Sequence, residues 1–488
     1  MMLSMLFTTW TVSAQVNNDE IDIEGKINPV PATTEEAEPL AVPEDNERTF
    51  REAVNWDTWE YKLNSRLSTL AGEAKRSKYS TGICVYDLTG DSLLFEFNSQ
   101  KRFRPASTQK LLTAISALDL LGKDAKYTTS AYVSGKISRD QIIHIEERKV
   151  EEEVFSETLG EMVTTTITVY DTTSTFKNVL HGNIYVKGTF DPLFSTEDLR
   201  EMAMAIGKLN FEEIDGELIG DISMKDSLVF GKGWCWDDMP SSYVPWLSPL
   251  LFNEGERLNS KADVYMSHPD TYFLSILADD LRQKGKDIRP SQIRLSFQKT
   301  DSERGKQVYS KTHTVEDVLQ RMMKRSNNQF AESMFYLIGY NNGKNPNPTT
   351  ADDCAERIFD VMRRAGCTEV EETAIADGSG LSLYDYVTPV NEVMLLRHAY
   401  HNKHIYEPLY MSLPIAGFDG TLENRMKSGA AQGNVHAKTG TVRGVSTLAG
   451  YVRASNGNML AFSIMNNGVP SSATGRSYQD RVCQALAK

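Results

Sequence analysis

The sequence predicts an α+β fold, in which helices flank an antiparallel sheet and a β-rich segment interrupts the domain. Residues 56–74 and 107–121 carry apolar side chains at spacings of three and four, which predicts amphipathic helices. Pairs of short strands joined by turn residues are predicted near both ends of the chain, at 82–98 and 445–465. Between these ends, residues 126–300 have the pattern of short strands with few helices.

Composition excludes several classes of protein. Of the 488 residues, 40% are hydrophobic and 24% are charged, which is typical of a globular chain with about two to four domains. The counts of 32 glycines, 17 prolines and 5 cysteines exclude a collagen and a disulfide scaffold. The net charge is −14, of which −8 comes from residues 16–50. The remaining −6 makes the rest of the chain mildly acidic, which argues against a partner bound mainly through its phosphates, such as nucleic acid.

The N-terminal segment predicts export. Residues 1–14 carry no charge, and Val12 and Ala14 fit the −3 and −1 positions of a signal-peptide cleavage site. No basic residue precedes the apolar part, which departs from a full signal. Residues 15–50 are acidic and rich in proline and threonine, which predicts a disordered linker. We therefore expect a periplasmic protein with no membrane span, and peripheral association with a membrane stays open.

The first part of the fold follows this linker. A helix is predicted over 56–74, and two strands, 82–88 and 92–98, form a hairpin through the turn residues 89–91. A second helix is predicted over 107–121, where Gly122 ends it. Residues 51–123 therefore form the first part of the predicted main domain.

Residues 124–306 are predicted to form one or more inserted β-rich domains. Strands are expected at 162–170, where threonine alternates with apolar residues, and at 182–187 and 293–297. Residues 307–488 then complete the main domain.

The C-terminal part combines further helices with a strand pair. Thr314 and Asp317 resemble a capping box, and Thr388 with Pro389 gives a second helix start. Its remaining elements are helices at 327–340 and 351–365, strands at 445–452 and 459–465, and a last helix from Ser477.

A first chemical motif is a serine followed three residues later by a lysine. Ser107 opens the predicted helix and Lys110 lies on the same helix face, so the lysine amine can reach the serine hydroxyl. A buried lysine loses its proton more readily and can then act as a base. The alternative is a helix-capping serine followed by a solvated lysine.

Two further motifs supply groups that such a reaction needs. Ser326 and Asn328 lie in a predicted break between two helices, where they offer a proton relay and a carboxamide. Lys438, Thr439 and Gly440 lie before the last strand pair, where an extended peptide can pair with a strand edge and a carboxylate can bind. Taken singly, each motif also fits a polar turn.

Together the motifs resemble the signature of penicillin-binding proteins and class A β-lactamases, Ser-x-x-Lys, Ser-Asp-Asn and Lys-Thr-Gly. The separation of 219 residues between Ser107 and Ser326 is similar to that in the D-alanyl-D-alanine carboxypeptidase/endopeptidase family of penicillin-binding protein 4 type, peptidase family S13. Residues 188–192, 234–238, 377–382 and 413–421 carry further matches.

The resemblance implies a serine β-lactamase/transpeptidase-like domain and a role for each matching residue, with no cofactor and no metal. Ser107 would be the nucleophile, Lys110 its general base and Ser326 a proton relay. The residues implied in substrate binding are Asn328, Lys438, Thr439, Gly440, Thr441 and, from the inserted segment, Asp191. Backbone N–H groups of Ser107 and Thr441 would form the oxyanion hole.

Two positions depart from the family pattern. Asn327 occupies the middle of the second motif, which leaves both chemical groups of that motif in place. Leu383 stands where the family commonly has an arginine, so the terminal carboxylate would depend on Lys438, Thr439 and Arg443.

The expected function is cleavage of D-alanyl peptide bonds in peptidoglycan stem peptides and crosslinks through an acyl-enzyme. β-Lactam antibiotics would then be covalent inhibitors. The sequence leaves open a β-lactamase and a non-catalytic peptidoglycan-binding protein as alternatives.

Overall fold

The computed structural model describes residues 58–488, apart from residues 240, 242, 257–265, 301, 303–304 and 341–347. The signal peptide predicted at 1–14 and the linker predicted at 15–50 lie outside the described residues. Among the helices of the described part, none is both long and apolar enough to cross a membrane.

The described residues form ten α-helices and thirteen strands. The helices are α1 (Trp59–Arg76), α2 (Gln109–Leu120), α3 (Thr196–Gly207), α4 (Pro269–Gln283), α5 (Val315–Arg325), α6 (Asn328–Tyr340), α7 (Ala351–Arg364), α8 (Pro389–Tyr400), α9 (Lys403–Ser412) and α10 (Ser472–Leu486). The strands are β1 (Ser80–Asp87), β2 (Ser92–Phe97), β3 (Lys126–Val133), β4 (Lys136–Ser156), β5 (Glu161–His181), β6 (Ile184–Gly188), β7 (Glu213–Ile214), β8 (Leu218–Asp221), β9 (Ile293–Ser296), β10 (Lys306–Thr314), β11 (His436–Val442), β12 (Val445–Arg453) and β13 (Met459–Asn467).

The main sheet has five antiparallel strands in the order β11-β12-β13-β1-β2. Its central strands β12 and β13 are buried along nearly their whole length, because helices cover both faces of the sheet. One core contains apolar residues of α2 and of α5 to α9, whereas the opposite core contains those of α1 and α10. This confirms the predicted α+β class with an antiparallel sheet between helices.

Residues 126–314, which extend past the predicted end of the inserted segment at 306, form two more sheets. One has the order β10-β3-β6-β8-β9, and its apolar side chains pack with α3 and α4 in a separate core. The prediction of few helices missed α3, which starts where Ser195 and Asp198 form a capping box. The other sheet, β4-β5-β7, extends the strand predicted at 162–170 to 21 residues in β5.

Capping side chains explain where several helices begin. Thr314 accepts a hydrogen bond from Asp317 N while Asp317 accepts one from Thr314 N, which confirms the predicted capping box. The last helix begins at Ser472, and the predicted start at Ser477 was wrong. Its true start depends on Ser471, whose side chain accepts a hydrogen bond from Thr474 N.

Candidate active site

Ser107 lies in a single 3-10 turn, Ala106–Thr108, immediately before α2. The carbonyl of Pro105 closes the turn by accepting hydrogen bonds from Thr108 Oγ1 at 2.9 Å and from Thr447 Oγ1 at 2.6 Å. Ala106 has a φ of +47°, which is strained for a residue with a side chain. Strand β12 therefore holds a strained turn that presents the half-buried Ser107.

Two glycines allow the neighbouring segments to approach this turn. A Cβ atom at Gly440 would lie 2.6 Å from Pro105 O and 2.9 Å from Ser107 N. A Cβ atom at Gly380 would lie 1.8 Å from Ala106 O, and this glycine also has a φ of +79°. Both positions therefore require glycine, which explains the glycine of the third predicted motif in steric terms.

The side chain of Lys110 is fully buried with its Nζ beside the serine. Nζ lies 2.9 Å from Ser107 Oγ, 2.7 Å from Asn328 Oδ1 and 2.8 Å from Ser379 O. Two of these three partners are carbonyl oxygens, which can only accept hydrogen bonds. The amide of Asn328 is held in this orientation, because its Nδ2 donates to Tyr243 O at 2.6 Å.

This arrangement suits an uncharged amine. Neutral Lys110 has two N–H groups for the two carbonyls, so its lone pair faces the Ser107 hydroxyl. Burial lowers the pKa of Lys110 to about 7, against the opposing effect of nearby carboxyls led by Asp377. The uncharged form is therefore well populated near neutral pH.

Three buried carboxyls lie behind the lysine. Asp377 accepts hydrogen bonds from Trp234 Nε1 and from the backbone N–H groups of residues 379, 380 and 382. Burial, together with the neighbouring Asp377, raises the pKa of Glu332 and of Asp385. Glu332 and Asp385 therefore favour the protonated form. Of the three carboxyls, Asp377 accepts the most hydrogen bonds.

Ser326 and Lys438 form a second hydrogen-bonded pair. Ser326 ends α5 with a φ of +58°, in the break predicted between two helices. Lys438 Nζ donates to Ser326 Oγ at 2.7 Å and to the carbonyl of Thr439 at 2.7 Å. Burial lowers the pKa of Lys438 well below its usual value, and Lys110 adds to this effect when its amine is charged.

A cavity of about 330 Å³ brings the motifs together. Hydroxyls and guanidinium groups line it, from Ser107, Ser326, Thr421, Arg425, Thr439, Thr441 and Arg476. Thr439 Oγ1 donates to Thr421 Oγ1 at 2.8 Å, and Lys324 holds the segment before Thr421 through its 2.6 Å contact with Asp419. The cavity can therefore stabilise an anionic group beside the Ser107 hydroxyl.

A second cavity, of about 380 Å³, lies on the other side of Thr441. Asp237 and Asp238 line it together with Leu383 and Arg443. Leu383, which stands where the family commonly has an arginine, therefore lines this second cavity and not the cavity of Ser107. Arg443, expected to help bind a carboxylate, also lines this cavity, whereas Arg425 and Arg476 line the cavity of Ser107.

Asp191 lies apart from this group of residues. It is 1% exposed, its Oδ2 lies 2.8 Å from His313 Nδ1, and its Oδ1 accepts a hydrogen bond from Leu193 N. It is not among the residues that line either cavity beside Thr441. Its implied role as a substrate ligand stays a prediction.

The structure thus places Lys110 against both Ser107 and Asn328, and Lys438 against Ser326, while Ser107 and Ser326 line one cavity. Sequence reasoning missed Tyr243, Arg425 and Arg476, which carry no motif. The segment 377–382 was noted, but the sequence did not show that its carbonyl at Ser379 binds Lys110. Within the described residues, no group of three or more His, Cys, Asp or Glu side chains could hold a metal ion.

Comparison with known proteins agrees with this geometry. The sequence model of the D-Ala-D-Ala carboxypeptidase 3 (S13) family matches residues 63–143, 156–263 and 256–488. The chain belongs to this family. The resemblance inferred from the three motifs is therefore confirmed, and residues 144–155 of this S13 protein lie outside the matched segments.

Relatives of this S13 protein are similar over most of their length. The D-alanyl-D-alanine carboxypeptidase DacB of Haemophilus influenzae is 23% identical over 454 residues, which cover 80% of this chain and 85% of the relative. A D-alanyl-D-alanine carboxypeptidase of Actinomadura sp. (strain R39) is 26% identical over 482 residues, which cover 84% and 81%. The crystal structure of penicillin-binding protein 4 from Haemophilus influenzae has a TM-score of 0.69 at 21% identity and covers 86% of this chain and 98% of that one, which shows the same fold.

Proposed function

We propose that this S13 protein is a serine-type D-alanyl-D-alanine carboxypeptidase and DD-endopeptidase that acts on peptidoglycan stem peptides and crosslinks. The observation that carries the proposal is the contact between Lys110 Nζ and Ser107 Oγ, in which burial favours an uncharged amine. Family membership supports the substrate class, because the matching family is named for D-Ala-D-Ala carboxypeptidases.

The acylation step follows from the contacts around Ser107. Lys110 takes the proton of the Ser107 hydroxyl as the oxygen attacks the carbonyl carbon of the D-alanyl bond. The carbonyl oxygen becomes an oxyanion, which backbone N–H groups of Ser107 and Thr441 would stabilise. The proton that Lys110 accepted then passes through the Ser326 hydroxyl to the leaving amine, which leaves Lys110 uncharged again. The hydrogen bond from Lys438 holds the Ser326 hydroxyl in place.

Deacylation reverses these roles. A water molecule loses a proton to Lys110, adds to the ester carbon of the acyl-enzyme and releases Ser107 with its proton restored. The product is a shortened stem peptide or an opened crosslink, according to whether the amine that left was free D-alanine or a second stem peptide.

The two cavities suggest how the substrate lies. The hydroxyls of Thr439 and Thr441 and the guanidinium group of Arg476 would attract the terminal carboxylate, whereas the guanidinium of Arg425 already pairs with Asp480 at 2.6 Å. The carboxylates of Asp237 and Asp238, across Thr441, would attract a cationic group on the stem peptide. Asn328, whose amide is already held by Lys110 and Tyr243, would orient the lysine and contact the substrate amide only through a rearrangement.

We further propose that the protein is exported to the periplasm, where its substrate lies. The uncharged apolar segment at residues 1–14 supports this location. Peripheral association with the membrane is a finer proposal, which fractionation of cells in high salt would test.

Benzylpenicillin provides the direct test, because its ring carbonyl acylates the same nucleophile. Intact-mass measurement should show one adduct, which peptide mapping places on Ser107, and no adduct in Ser107→Ala. Persistent acylation favours a penicillin-binding enzyme, whereas rapid loss of the adduct with product release favours a β-lactamase. An unmodified wild-type protein would overturn the proposal.

Digestion of purified muropeptides then separates the remaining alternatives. Free D-alanine identifies the carboxypeptidase and conversion of dimers to monomers identifies the endopeptidase. A non-catalytic peptidoglycan-binding protein would bind muropeptides without turnover, and Lys110→Ala would leave that binding unchanged.

A further inference from the structure

The inserted segment carries a β-ribbon that projects from the rest of the fold. Strands β4 and β5 pair over their full 21 residues, from Lys136 opposite His181 to Ser156 opposite Glu161. At about 3.4 Å per residue the ribbon is roughly 70 Å long. Among the described residues, and beyond their mutual pairing, the ribbon's strands join another strand only at the base of the ribbon, where Val179 and Leu180 pair with β7. We call residues 136–181 the ribbon.

The ribbon leaves apolar side chains in solvent. Cross-strand pairing places odd-numbered residues of β4 and even-numbered residues of β5 on one face. On this face, large apolar side chains are between 56% and 66% exposed, at Ile143, Ile145, Phe155, Met162, Tyr170 and Phe176. A two-stranded ribbon is only marginally stable in water, and a third strand or a packed face is needed to stabilise it. The ribbon therefore has the properties of an incomplete sheet.

The two strands differ in charge. Ten of the 21 residues of β4 are Asp, Glu, Lys or Arg, including the run Glu151, Glu152 and Glu153. In β5 only Glu161, Asp171 and Lys177 are charged, and residues 162–176 are mostly β-branched. Charged side chains protect an exposed strand edge from pairing, whereas an uncharged β-branched strand is suited to it. Of the two ribbon strands, only β5 presents an uncharged, β-branched edge that is suited to pairing.

The main chain of β5 has hydrogen-bonding groups directed away from β4. At the base, Asn178 N donates to Glu212 and Asn178 O accepts from Glu212 N, so the even-numbered residues of β5 face outward. Over 162–176 this gives eight residues with outward N–H and C=O groups. Among the described residues, none of these eight has a main-chain hydrogen bond to another segment.

We propose that this edge of β5 pairs antiparallel with β5 of a second copy of the chain, which gives a four-stranded sheet across a two-fold axis. A register centred on Val169 places Met162 opposite Phe176 and Thr164 opposite Ser174. Eight outward residues then meet eight in the other copy over roughly 50 Å.

The charges favour a second copy in this arrangement. In the register centred on Val169, Asp171 lies opposite Ile167 rather than its own counterpart, and Arg148 neutralises it at 3.2 Å within the same ribbon. Pairing of β4 with itself would instead bring together two edges in which seven of the eight residues 146–153 are charged. Residues 144–155, most of the outer part of β4, lie outside the segments that match the S13 family model, whereas β5 lies within them.

A proline substitution on each edge tests the proposal. Thr166→Pro removes an outward N–H of β5, while Glu151→Pro removes an outward N–H of β4 at the position directly opposite. Sedimentation velocity of the full chain from about 1 to 100 μM should show a dimer for wild type and for the Glu151 variant. The Thr166 variant should have a dissociation constant raised at least about tenfold, since two copies each lose main-chain bonds.

Three results would overturn the proposal: a monomeric wild type throughout this range, an unchanged Thr166 variant, or equal weakening by both prolines. Two charge variants at one position distinguish loss of self-association from unfolding of the ribbon. Thr168→Glu and Thr168→Lys should each weaken self-association, and mixing the two variants should restore a mixed dimer. Failure of the mixture to associate would also reject pairing through β5.

Discussion

Lys438 donates a hydrogen bond of 2.7 Å to Ser326 Oγ, so a fully buried lysine of β11 orients a hydroxyl at the end of α5. Because Ser326 lines the same cavity as Ser107, this hydroxyl is placed to give a proton to the amine that leaves the substrate carbonyl as Ser107 is acylated. The hydrogen bond between Lys438 and Ser326 connects the third motif with the second. In the same way, the contact between Lys110 and Asn328 connects the first motif with the second.

Replacing Ser326 with alanine should therefore lower the rate of peptide cleavage while the protein stays folded. We expect the release of D-alanine from a D-alanyl-D-alanine peptide to fall about 10²- to 10⁴-fold, the range of general acid–base catalysis. Steady-state rates measure this loss, and urea unfolding checks that the variant is folded. Ser65→Ala, on the exposed face of α1, is the matched control and should be unchanged. An equal rate in both variants would contradict the proposed relay.

The pH dependence of acylation should follow Lys110. Burial lowers its pKa to about 7, and only the uncharged amine can accept the Ser107 proton. The second-order rate of acylation by benzylpenicillin should thus rise tenfold per pH unit below about 7 and level off above it. Stopped-flow measurements between about pH 5 and 9 would show this, with Lys110→Ala inactive throughout. A rate that falls as pH rises through 7 would exclude Lys110 as the base.

Asp377→Asn should affect both stability and the pH profile. The carboxylate accepts five hydrogen bonds, including one from Ser379 Oγ, and an amide can accept on only one of its two atoms, so buried donors would be left without acceptors. We expect the free energy of unfolding, measured by urea unfolding, to fall by about 2–4 kcal/mol. Removal of the negative charge should also shift the acylation midpoint to lower pH, since Asp377 raises the pKa of Lys110.

Trp234→Phe is the comparison for that variant, because it removes a single donor to Asp377. It should lower stability less than Asp377→Asn and leave the midpoint in place. A shift of the midpoint in both variants would point to loss of packing rather than loss of charge.

Asp191→Asn separates a structural role from substrate binding. The hydrogen bond with Asp191 raises the pKa of His313, and this stabilises the fold at pH below the unfolded value of about 6.5. That contribution is lost as pH rises through the folded pKa, so the stability difference between wild type and variant should shrink with increasing pH. Urea unfolding at several pH values measures it. If the variant instead raises the KM for stem peptides without loss of stability, Asp191 binds substrate.

The sequence predicted those parts of the fold and site that depend on local chemistry. The capping residues at Thr314 and Thr388 and the break around Ser326 follow from side-chain geometry within a few residues. The three motifs were recognisable for the same reason, since spacing within each reflects one turn or one strand.

Long-range contacts could not be predicted in this way. Nothing local shows that Ser379 O contacts Lys110, which lies 269 residues away, or that Arg476 reaches the cavity from the last helix. The length of β5 was also missed, because apolar periodicity fades where both faces of a strand are exposed. These features arise from tertiary packing, which neither periodicity nor composition reports.

The pairing of β1 with β13 has a consequence for how the protein is made. Ser80 lies opposite Asn467, so strand β1 can pair with β13 only after residues up to 467 have left the ribosome. Such distant pairings slow folding. A chain released early would hold Ser107 and Lys110 but not Lys438, and would therefore carry an incomplete site. Catalytic competence is thus acquired only after strands β11 to β13 have been synthesised and have joined the sheet.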